Sequence, residues 1–314
     1  MQTQKGFTKE LKETVNKLIG ANYKVEVHSI EKINIGTVHA LVILNSGSNV
    51  SPSFYIEELY KSYLQGKATI EEMAKDIVES YCHNIILSIK ENRPEIYFND
   101  REWVQERLFL QLINSSKNKK LLKDSVHLDC NELSLVLYIL ATDDESGIGK
   151  VRVTKSMLDN FRWDEKNILS YALENTVSLF PYKEFPLYEL LSKITDCTDI
   201  PNIDITKGEP EIMVLTNSRG MFGATTIFYP NVLKELAEKH GTSLFLLPSS
   251  IHEFLILEDN GIYNPKELKD MVQEVNSSAV SPEEVLSDNI YYYGRSSGML
   301  SVFHNGKPEK VILS

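Results

Sequence analysis

The 314-residue sequence lacks the features that mark membrane, secreted or disulfide-rich proteins. Its apolar runs are all far shorter than the roughly 20 residues that a membrane-spanning helix needs. The first residues, Met1 to Gly6, lack the apolar core of a secretion signal. Three cysteines, Cys82, Cys130 and Cys197, are an odd number at wide spacing. They indicate neither a disulfide framework nor a cysteine-based zinc site, and they favour a reducing cytoplasm as the compartment.

Recognisable catalytic and nucleotide-binding motifs are missing as well. No G-x-x-x-x-G-K-[ST], G-x-G-x-x-G, H-E-x-x-H or G-x-S-x-G pattern occurs. The segment Ser146 to Lys150 has some likeness to a phosphate-binding loop, but it lacks a glycine at the required distance and a hydroxyl residue after the lysine. It is interpreted as the end of a hairpin. The sequence therefore predicts no cofactor and no metal, and it leaves open whether the protein is an enzyme.

Basic residues are also fewer than acidic ones. The chain carries 33 basic and 44 acidic residues, a net charge of −11, which opposes attraction to nucleic acid or to anionic lipid. One basic cluster, Lys117, Lys119, Lys120 and Lys123, is interpreted as a solvated loop because connections between strands are usually polar. Nucleic acid and membrane are thus not expected as partners. The alternative is that this cluster serves a nucleic-acid-associated protein of a mobile element or phage.

The clearest pattern that is present is a local repeat in the last third of the chain. Its first copy has an apolar strand at 212–215, a turn, a β-branched and aromatic segment at 224–229, and a helix near 231–240. Its second copy has strands at 244–247 and 251–257 and a helix near 265–276, which Asn264 and Pro265 begin. The repeat predicts two hairpins in one antiparallel sheet with both helices on a single face.

Elsewhere the sequence mixes helical and strand periods. Thr69 and Glu72 form a capping box for a long predicted helix whose apolar residues run from Ile70 to Tyr81. The near-continuous apolar run at 133–141 predicts a strand that is covered on both faces. The fold class is therefore α+β, with antiparallel sheets built from hairpin-plus-helix units. A polar, proline-containing connector at 195–210 divides the chain into an α+β region, 1–205, and a ββαββα domain, 206–314.

One candidate site lies at the turn before the strand at 251–257. A functional interpretation uses His252 as a general base or metal ligand, Glu253 as a second carboxylate, and Ser249 or Ser250 as a nucleophile or an orienting residue. Adjacent residues of a strand point to opposite faces, so His252 and Glu253 need a bulge or bend to serve one site. The favoured interpretation is structural, with the serine hydroxyls satisfying the turn and His252 bonded at a sheet edge.

A second candidate cluster lies near the C-terminus. Asp288, Tyr291, Tyr293 and Arg295 combine amphipathic rings with a planar cation, which suits a protein-binding surface. An ordinary strand with one or two buried rings explains the same residues and is preferred, because strands are rich in tyrosine for packing reasons. The remaining histidines are dispersed and predict no metal-ligand set.

Four segments carry a resemblance to a known family: 49–55, 223–230, 247–253 and 286–293. Over nearly its full length the chain resembles an uncharacterised family, a domain of unknown function seen mainly in anaerobic Gram-positive bacteria. That resemblance implies a bacterial source and brings no activity or catalytic residues. Together with the missing motifs, it favours a cytoplasmic, non-catalytic binding or accessory protein with a protein partner. The alternative is a hydrolase-like or metal-assisted enzyme with its site around His252.

Overall fold

The structure, a computed structural model, describes residues 2–45, 51–90, 100–144, 147–189, 212–304 and 307–311. The chain forms two compact units, Met1–Asn99 and Asp100–Ser314. The predicted connector at 195–210 lies outside the described residues, so the boundary near residue 205 stays a prediction. The strands that precede and follow that connector, Tyr182–Pro186 and Met213–Asn217, pair with each other in one sheet.

The first unit packs three helices against a small antiparallel sheet. Its elements are α1 (Gln4–Ile19), β1 (Tyr23–Lys32), β2 (Gly36–Asn45), β3 (Ser53–Tyr55), α2 (Ile56–Leu64) and α3 (Ile70–Lys90), with strand order β1-β2-β3. The predicted capping box is confirmed, because the Thr69 amide donates to Glu72 Oε2 at 2.8 Å and the Glu72 amide donates to Thr69 Oγ1 at 3.2 Å. Phe7 of α1 and Tyr81 of α3 are buried in the core beside Leu41 of β2.

The second unit begins with a four-stranded antiparallel sheet. Its elements are α4 (Arg101–Gln105), β4 (Leu108–Asn114), α5 (Lys119–Leu122), β5 (His127–Cys130), β6 (Leu133–Asp144), β7 (Gly147–Arg152), α6 (Lys155–Phe161) and α7 (Glu165–Leu179). Strand β6 lies at the centre, with β4 on one side and with β5 and β7 on the other. Residues 133–141 are all buried, which confirms the prediction of a strand covered on both faces.

A seven-stranded antiparallel sheet completes this unit. Its elements are β8 (Tyr182–Pro186), β9 (Met213–Asn217), a 3₁₀ helix (Gly223–Phe228), α8 (Val232–His240), β10 (Leu244–Pro248), β11 (Phe254–Glu258), α9 (Pro265–Ser278), β12 (Tyr291–Gly294), β13 (Met299–His304) and β14 (Lys307–Lys310). The strand order is β14-β13-β12-β10-β11-β9-β8. With three antiparallel sheets and helices packed on them, the predicted α+β class is confirmed.

The predicted repeat is only half present. The second copy forms the expected hairpin, β10 with β11, followed by α9. In the first copy the segment predicted as a strand at 224–229 is a 3₁₀ helix, so that prediction is wrong. The hydroxyls of Thr225 and Thr226 donate to the carbonyls of Phe222 and Gly223 at 3.1 and 2.7 Å. Both edges of β9 are already occupied, by β8 and by β11, so a return strand has no edge to join.

The two helices of the repeat also lie on opposite faces of the sheet, contrary to the prediction. Helix α9 packs Leu268 and Val272 against Phe245 of β10. Helix α8 places His240 against Glu258, with Nδ1 2.9 Å from Oε1. Glu258 pairs with Leu244, which points away from the Phe245 face because neighbouring strand residues alternate. The missing hairpin is the reason, since α8 follows a 3₁₀ turn rather than a second strand.

Threonine side chains close the free edge of β4. The Leu110 amide donates to Thr176 Oγ1 of α7 at 2.9 Å, and the Leu112 amide donates to Thr225 Oγ1 at 3.0 Å. Both threonines are buried. Because an unpaired buried amide is costly, these two bonds hold α7 and the 3₁₀ helix against the four-stranded sheet. The 3₁₀ helix also packs against β9, and it thereby joins the two sheets of the second unit.

Candidate functional site

The first predicted cluster forms a closed turn between β10 and β11. Ser250 is buried; its hydroxyl donates to Glu253 Oε1 at 2.8 Å and accepts from the His252 amide at 2.9 Å. The Ser249 amide donates to the Glu253 carbonyl at 3.2 Å. The serine hydroxyl thus bonds to the His252 main chain and not to its ring. The structure brings Ser250 and Glu253 together, and it directs the imidazole elsewhere.

The His252 ring supports a neighbouring loop. Its Nδ1 accepts from the Phe222 amide at 3.1 Å, and its ring lies 5.7 Å from the Phe222 ring at an interplanar angle of 27°. Its Nε2 lies 3.5 Å from Glu284 Oε1. Phe222 has a left-handed backbone with φ of 58°, a strained state for a residue other than glycine. The imidazole therefore satisfies and braces a strained residue.

We expect His252→Ala to lower the free energy of unfolding by about 1–3 kcal/mol, because it leaves the Phe222 amide without its acceptor and removes the stacked ring. His252→Asn is the matched control, since an amide oxygen can replace Nδ1 as the acceptor, and its loss should be smaller. Urea denaturation of the three proteins measures both values. Equal stability of the wild type and His252→Ala, with a stoichiometric metal present only in the wild type, would instead support the enzyme alternative.

The second predicted cluster divides into two parts. Tyr291 is buried, and its hydroxyl donates to Glu132 Oε1 at 2.6 Å. Burial and the neighbouring Glu132 carboxylate raise the pKa of Tyr291 well above its usual value. Asp288 accepts from Asn276 Nδ2 at 2.8 Å. Tyr291 and Asp288 are therefore engaged in contacts within the protein.

Glu132, which the sequence did not single out, is the centre of those contacts. Besides Tyr291, the Ser287 hydroxyl donates to its Oε1 at 2.5 Å, and Asn289 Nδ2 donates to its Oε2 at 2.5 Å. Glu132 lies in the turn between β5 and β6, whereas its three donors lie just before and within β12. We call these four residues the Glu132 clamp. It fastens the four-stranded sheet to the seven-stranded sheet.

Tyr293 and Arg295 line an open groove of about 960 Å³. The groove runs between the start of α8 and the turn that joins β12 to β13. Its other lining residues include Ile227, Leu233, Lys234, Glu238, Leu300 and Lys310. Arg295 is held at the rim, because its amide donates to Ser243 Oγ at 3.1 Å and its Nη1 donates to the Gly241 carbonyl at 2.6 Å. The structure thus brings Tyr293 and Arg295 together in this groove. The other six candidate site residues do not line it.

The groove is locally basic. Three cations line it, Lys234, Arg295 and Lys310, against one carboxylate, Glu238. Glu238 lies 4.0 Å from Lys234, an exposed pair of adjacent helix turns that contributes little. The floor adds apolar surface from Leu233, which is buried, and from Leu300. A positive rim over an apolar floor suits a ligand with carboxylates and apolar groups.

A third constellation, around Lys150 of β7, was missed by the sequence analysis. The Lys150 ammonium donates to Gln111 Oε1 and lies 3.7 Å from the Phe222 ring centroid and 4.5 Å from the Tyr138 ring centroid. We call these four residues the lysine cage. Although part of Lys150 is exposed, burial of its ammonium lowers the pKa to about 7. The sequence does contain one signal for this site. Lys150 lies close after the apolar run that becomes β6, and the predicted burial of β6 on both faces leaves few solvated positions for a neighbouring ammonium.

Other candidate chemistry is not assembled. Among the residues that the structure describes, no group of three or more histidine, cysteine, aspartate or glutamate side chains could hold a metal ion. Across the same part of the chain, no helix has the length and apolar character needed to cross a membrane. Lys117, Lys119, Lys120 and Lys123 are exposed around the short helix α5. That exposure is what a solvated loop requires.

Comparison with known proteins identifies a family for this chain. No curated protein and no solved structure matches the chain. A family model, described as a family of unknown function (DUF5688), matches residues 4–295. The expected likeness to an uncharacterised family is therefore confirmed. Since the match spans both compact units, the chain belongs to this family of unknown function.

Proposed function

We propose that the protein is a non-catalytic, cytoplasmic binding protein, and that the groove beside Tyr293 and Arg295 holds an acidic, partly apolar segment of a partner protein. The observation that carries this proposal is the charge of the groove. A chain with a net charge of −11 concentrates three cations around one opening, with a single carboxylate among them. Such a local reversal of sign favours an anionic partner and disfavours cationic ones.

The geometry of Arg295 supports the same function. Its Nη1 and main-chain amide are fixed to Gly241 and Ser243, so the guanidinium is preorganised at the rim. A fixed planar cation loses less conformational entropy on binding a carboxylate than a free side chain does. Tyr293 is buried, so its ring contributes apolar surface to the base of the groove.

The contacts of His252 offer less support for the enzyme alternative. Its Nδ1 accepts a main-chain amide, and its ring is stacked on Phe222. A general base needs a free acceptor nitrogen within reach of the proton that it removes. The exposed lysines around α5 likewise add no observation that favours nucleic acid over a solvated loop.

A peptide-binding experiment tests the groove. The probe is a fluorescein-labelled peptide of alternating glutamate and tyrosine, followed by fluorescence anisotropy, and a peptide of alternating lysine and tyrosine is the charge-reversed control. We expect the acidic peptide to bind and salt to weaken the binding. The double variant Arg295→Glu/Lys310→Glu should weaken it about tenfold or more, since paired charges at an interface are coupled by more than 1 kcal/mol.

Lys119→Glu/Lys120→Glu is the matched control, because it reverses two exposed charges of the same sign away from the groove. It should leave the affinity unchanged, and circular dichroism should show that both double variants are folded. If both double variants lose affinity for the acidic peptide equally, the peptide binds positive charge in general and not the groove, which would contradict the proposal. Equal binding of both peptides, or of neither, would contradict the proposal.

A further inference from the structure

We propose that Lys150 is a nucleophilic amine that forms an imine with a small aldehyde or ketone inside the lysine cage. This inference is independent of the groove, because none of the cage residues lines it. It starts from the surroundings of the amine. Among the described residues, no carboxylate forms an ion pair with Lys150, and two aromatic rings take the place that an anion would occupy.

Gln111 provides the second observation. Its side chain is fully buried, its Oε1 accepts from Lys150, and its Nε2 has no hydrogen-bond partner within the described part of the chain. Buried donors are almost always satisfied, so an orphan beside a reactive group calls for an explanation. A ligand oxygen placed next to the amine would accept this free N–H. The cage therefore combines an acceptor for the attacking nitrogen with a donor for an oxygen.

That pairing matches the intermediate of imine formation. The Lys150 Nζ lone pair attacks the carbonyl carbon and forms a C–N bond, and a proton moves from nitrogen to oxygen to give a carbinolamine. In this intermediate an N–H and an oxygen share one carbon, and the Gln111 amide presents Oε1 and Nε2 side by side to them. The nitrogen electron pair then forms the second C–N bond as the C–O bond breaks, the hydroxyl leaves as water with the remaining N–H proton, and the C=N bond remains.

The electrostatic surroundings keep the amine available at neutral pH. Burial lowers the pKa of Lys150 to about 7, so a large share is neutral at pH 7. The charged groups nearby are bonded to partners other than Lys150: Arg152 donates to the Leu121 carbonyl and to Ser125, and Arg219 pairs with Asp143. His252 lies against Phe222, on whose ring Lys150 also packs. Tyr138 remains protonated, since burial raises its pKa.

Access to the cage lies on the Phe222 side. Tyr138 and Gln111 are buried, whereas Phe222 and the preceding Met221 are partly exposed. Phe222 is the strained residue that His252 braces, and strained residues of this kind concentrate at ligand-binding sites. The chemical class that fits is a small carbonyl compound that approaches past this ring.

Reductive trapping tests the proposal on the intact chain. The protein is incubated with propionaldehyde and sodium cyanoborohydride at pH 7, and peptide mass spectrometry follows the labelling of each lysine. We expect Lys150 to be labelled about tenfold faster than the exposed Lys123 and Lys234, because an ordinary lysine is almost fully protonated at this pH. In guanidinium chloride, where the cage is lost, the preference should disappear.

Two variants separate the cage from simple exposure. Gln111→Met keeps the length of the side chain and removes the amide, and it should slow the labelling of Lys150 by about tenfold without affecting Lys123. Gln111→Glu keeps a polar partner and should also slow it, because a carboxylate holds the ammonium protonated. Lys150 labelled no faster than Lys123, a preference that survives unfolding, or unchanged labelling in both folded variants would overturn the proposal.

Discussion

Gly223→Ala is expected to lower the free energy of unfolding by about 3 kcal/mol or more, at the upper end of the cost of overpacking a core. A Cβ at this position would lie 2.1 Å from Thr216 Oγ1, 2.6 Å from the His252 carbonyl oxygen and 2.7 Å from the Asn217 amide nitrogen. Two of these three atoms belong to the main chain, so no rotamer change can relieve the contact. Either β9 or the turn before β11 has to move.

Gly220→Ala is the control for this prediction. Gly220 has φ of +65°, and a Cβ there would meet nothing within 4 Å. Its substitution therefore introduces backbone strain without a steric clash, and it should lower the free energy of unfolding by about 1 kcal/mol. Urea denaturation gives both values. Adding Thr216→Ala to Gly223→Ala should restore only part of the loss, because the main-chain contacts remain. A loss at Gly223 no larger than the loss at Gly220 would show that β9 tolerates the extra atom.

Glu132→Ala is expected to cost about 3 kcal/mol or more, because it leaves three donors, on Ser287, Asn289 and Tyr291, without their acceptor. Glu132→Gln should cost less, since it retains one acceptor oxygen. Tyr291→Phe is the matched control from the other side of the Glu132 clamp; it removes one donor and should cost about 1 kcal/mol. Thermal and urea denaturation rank the three variants. Equal stability of Glu132→Ala and Tyr291→Phe would contradict the clamp.

The clamp also predicts a dependence on alkaline pH. The pKa of Tyr291 is raised in the folded protein, so the neutral phenol is favoured there. Below the unfolded pKa of about 10 both states hold the proton, and the stabilisation is fully present. Above it, the unfolded chain ionises first and stability falls as the pH rises. Tyr291→Phe should flatten part of this decline.

Local sequence signals predicted the elements whose causes are local. The capping box of Thr69 and Glu72, the Asn264 cap of α9 and the buried strand β6 are all present because their hydrogen bonds or apolar patterns lie within a few residues. The prediction of a strand at 224–229 is wrong because it rests on local composition alone. The β-branched and aromatic composition of this segment is typical of a strand, but the neighbours of β9 and the close approach at Gly223 decide the outcome.

The candidate sites depend on contacts between distant residues, and so sequence alone could not locate them. Glu132 meets Tyr291 across 159 positions, and Lys150 meets Gln111 across 39. Residue type singled out Tyr293 and Arg295 as candidates for a binding surface, because aromatic rings and planar cations are enriched at interfaces, and that role stays a prediction. The preferred interpretation of one or two buried rings agrees with the burial of Tyr291, but no local pattern linked that ring to Glu132.

The threonine hydroxyls that accept from β4 limit strand addition at this edge of the sheet. An open strand edge is a template on which another chain can add a strand, and repeated addition produces fibres. On β4 the amides of Leu110 and Leu112 are already bonded to Thr176 and Thr225, which α7 and the 3₁₀ helix hold in place. Polymerisation through this edge therefore requires those two segments to detach first, which makes it a property of the partly unfolded chain and not of the native one.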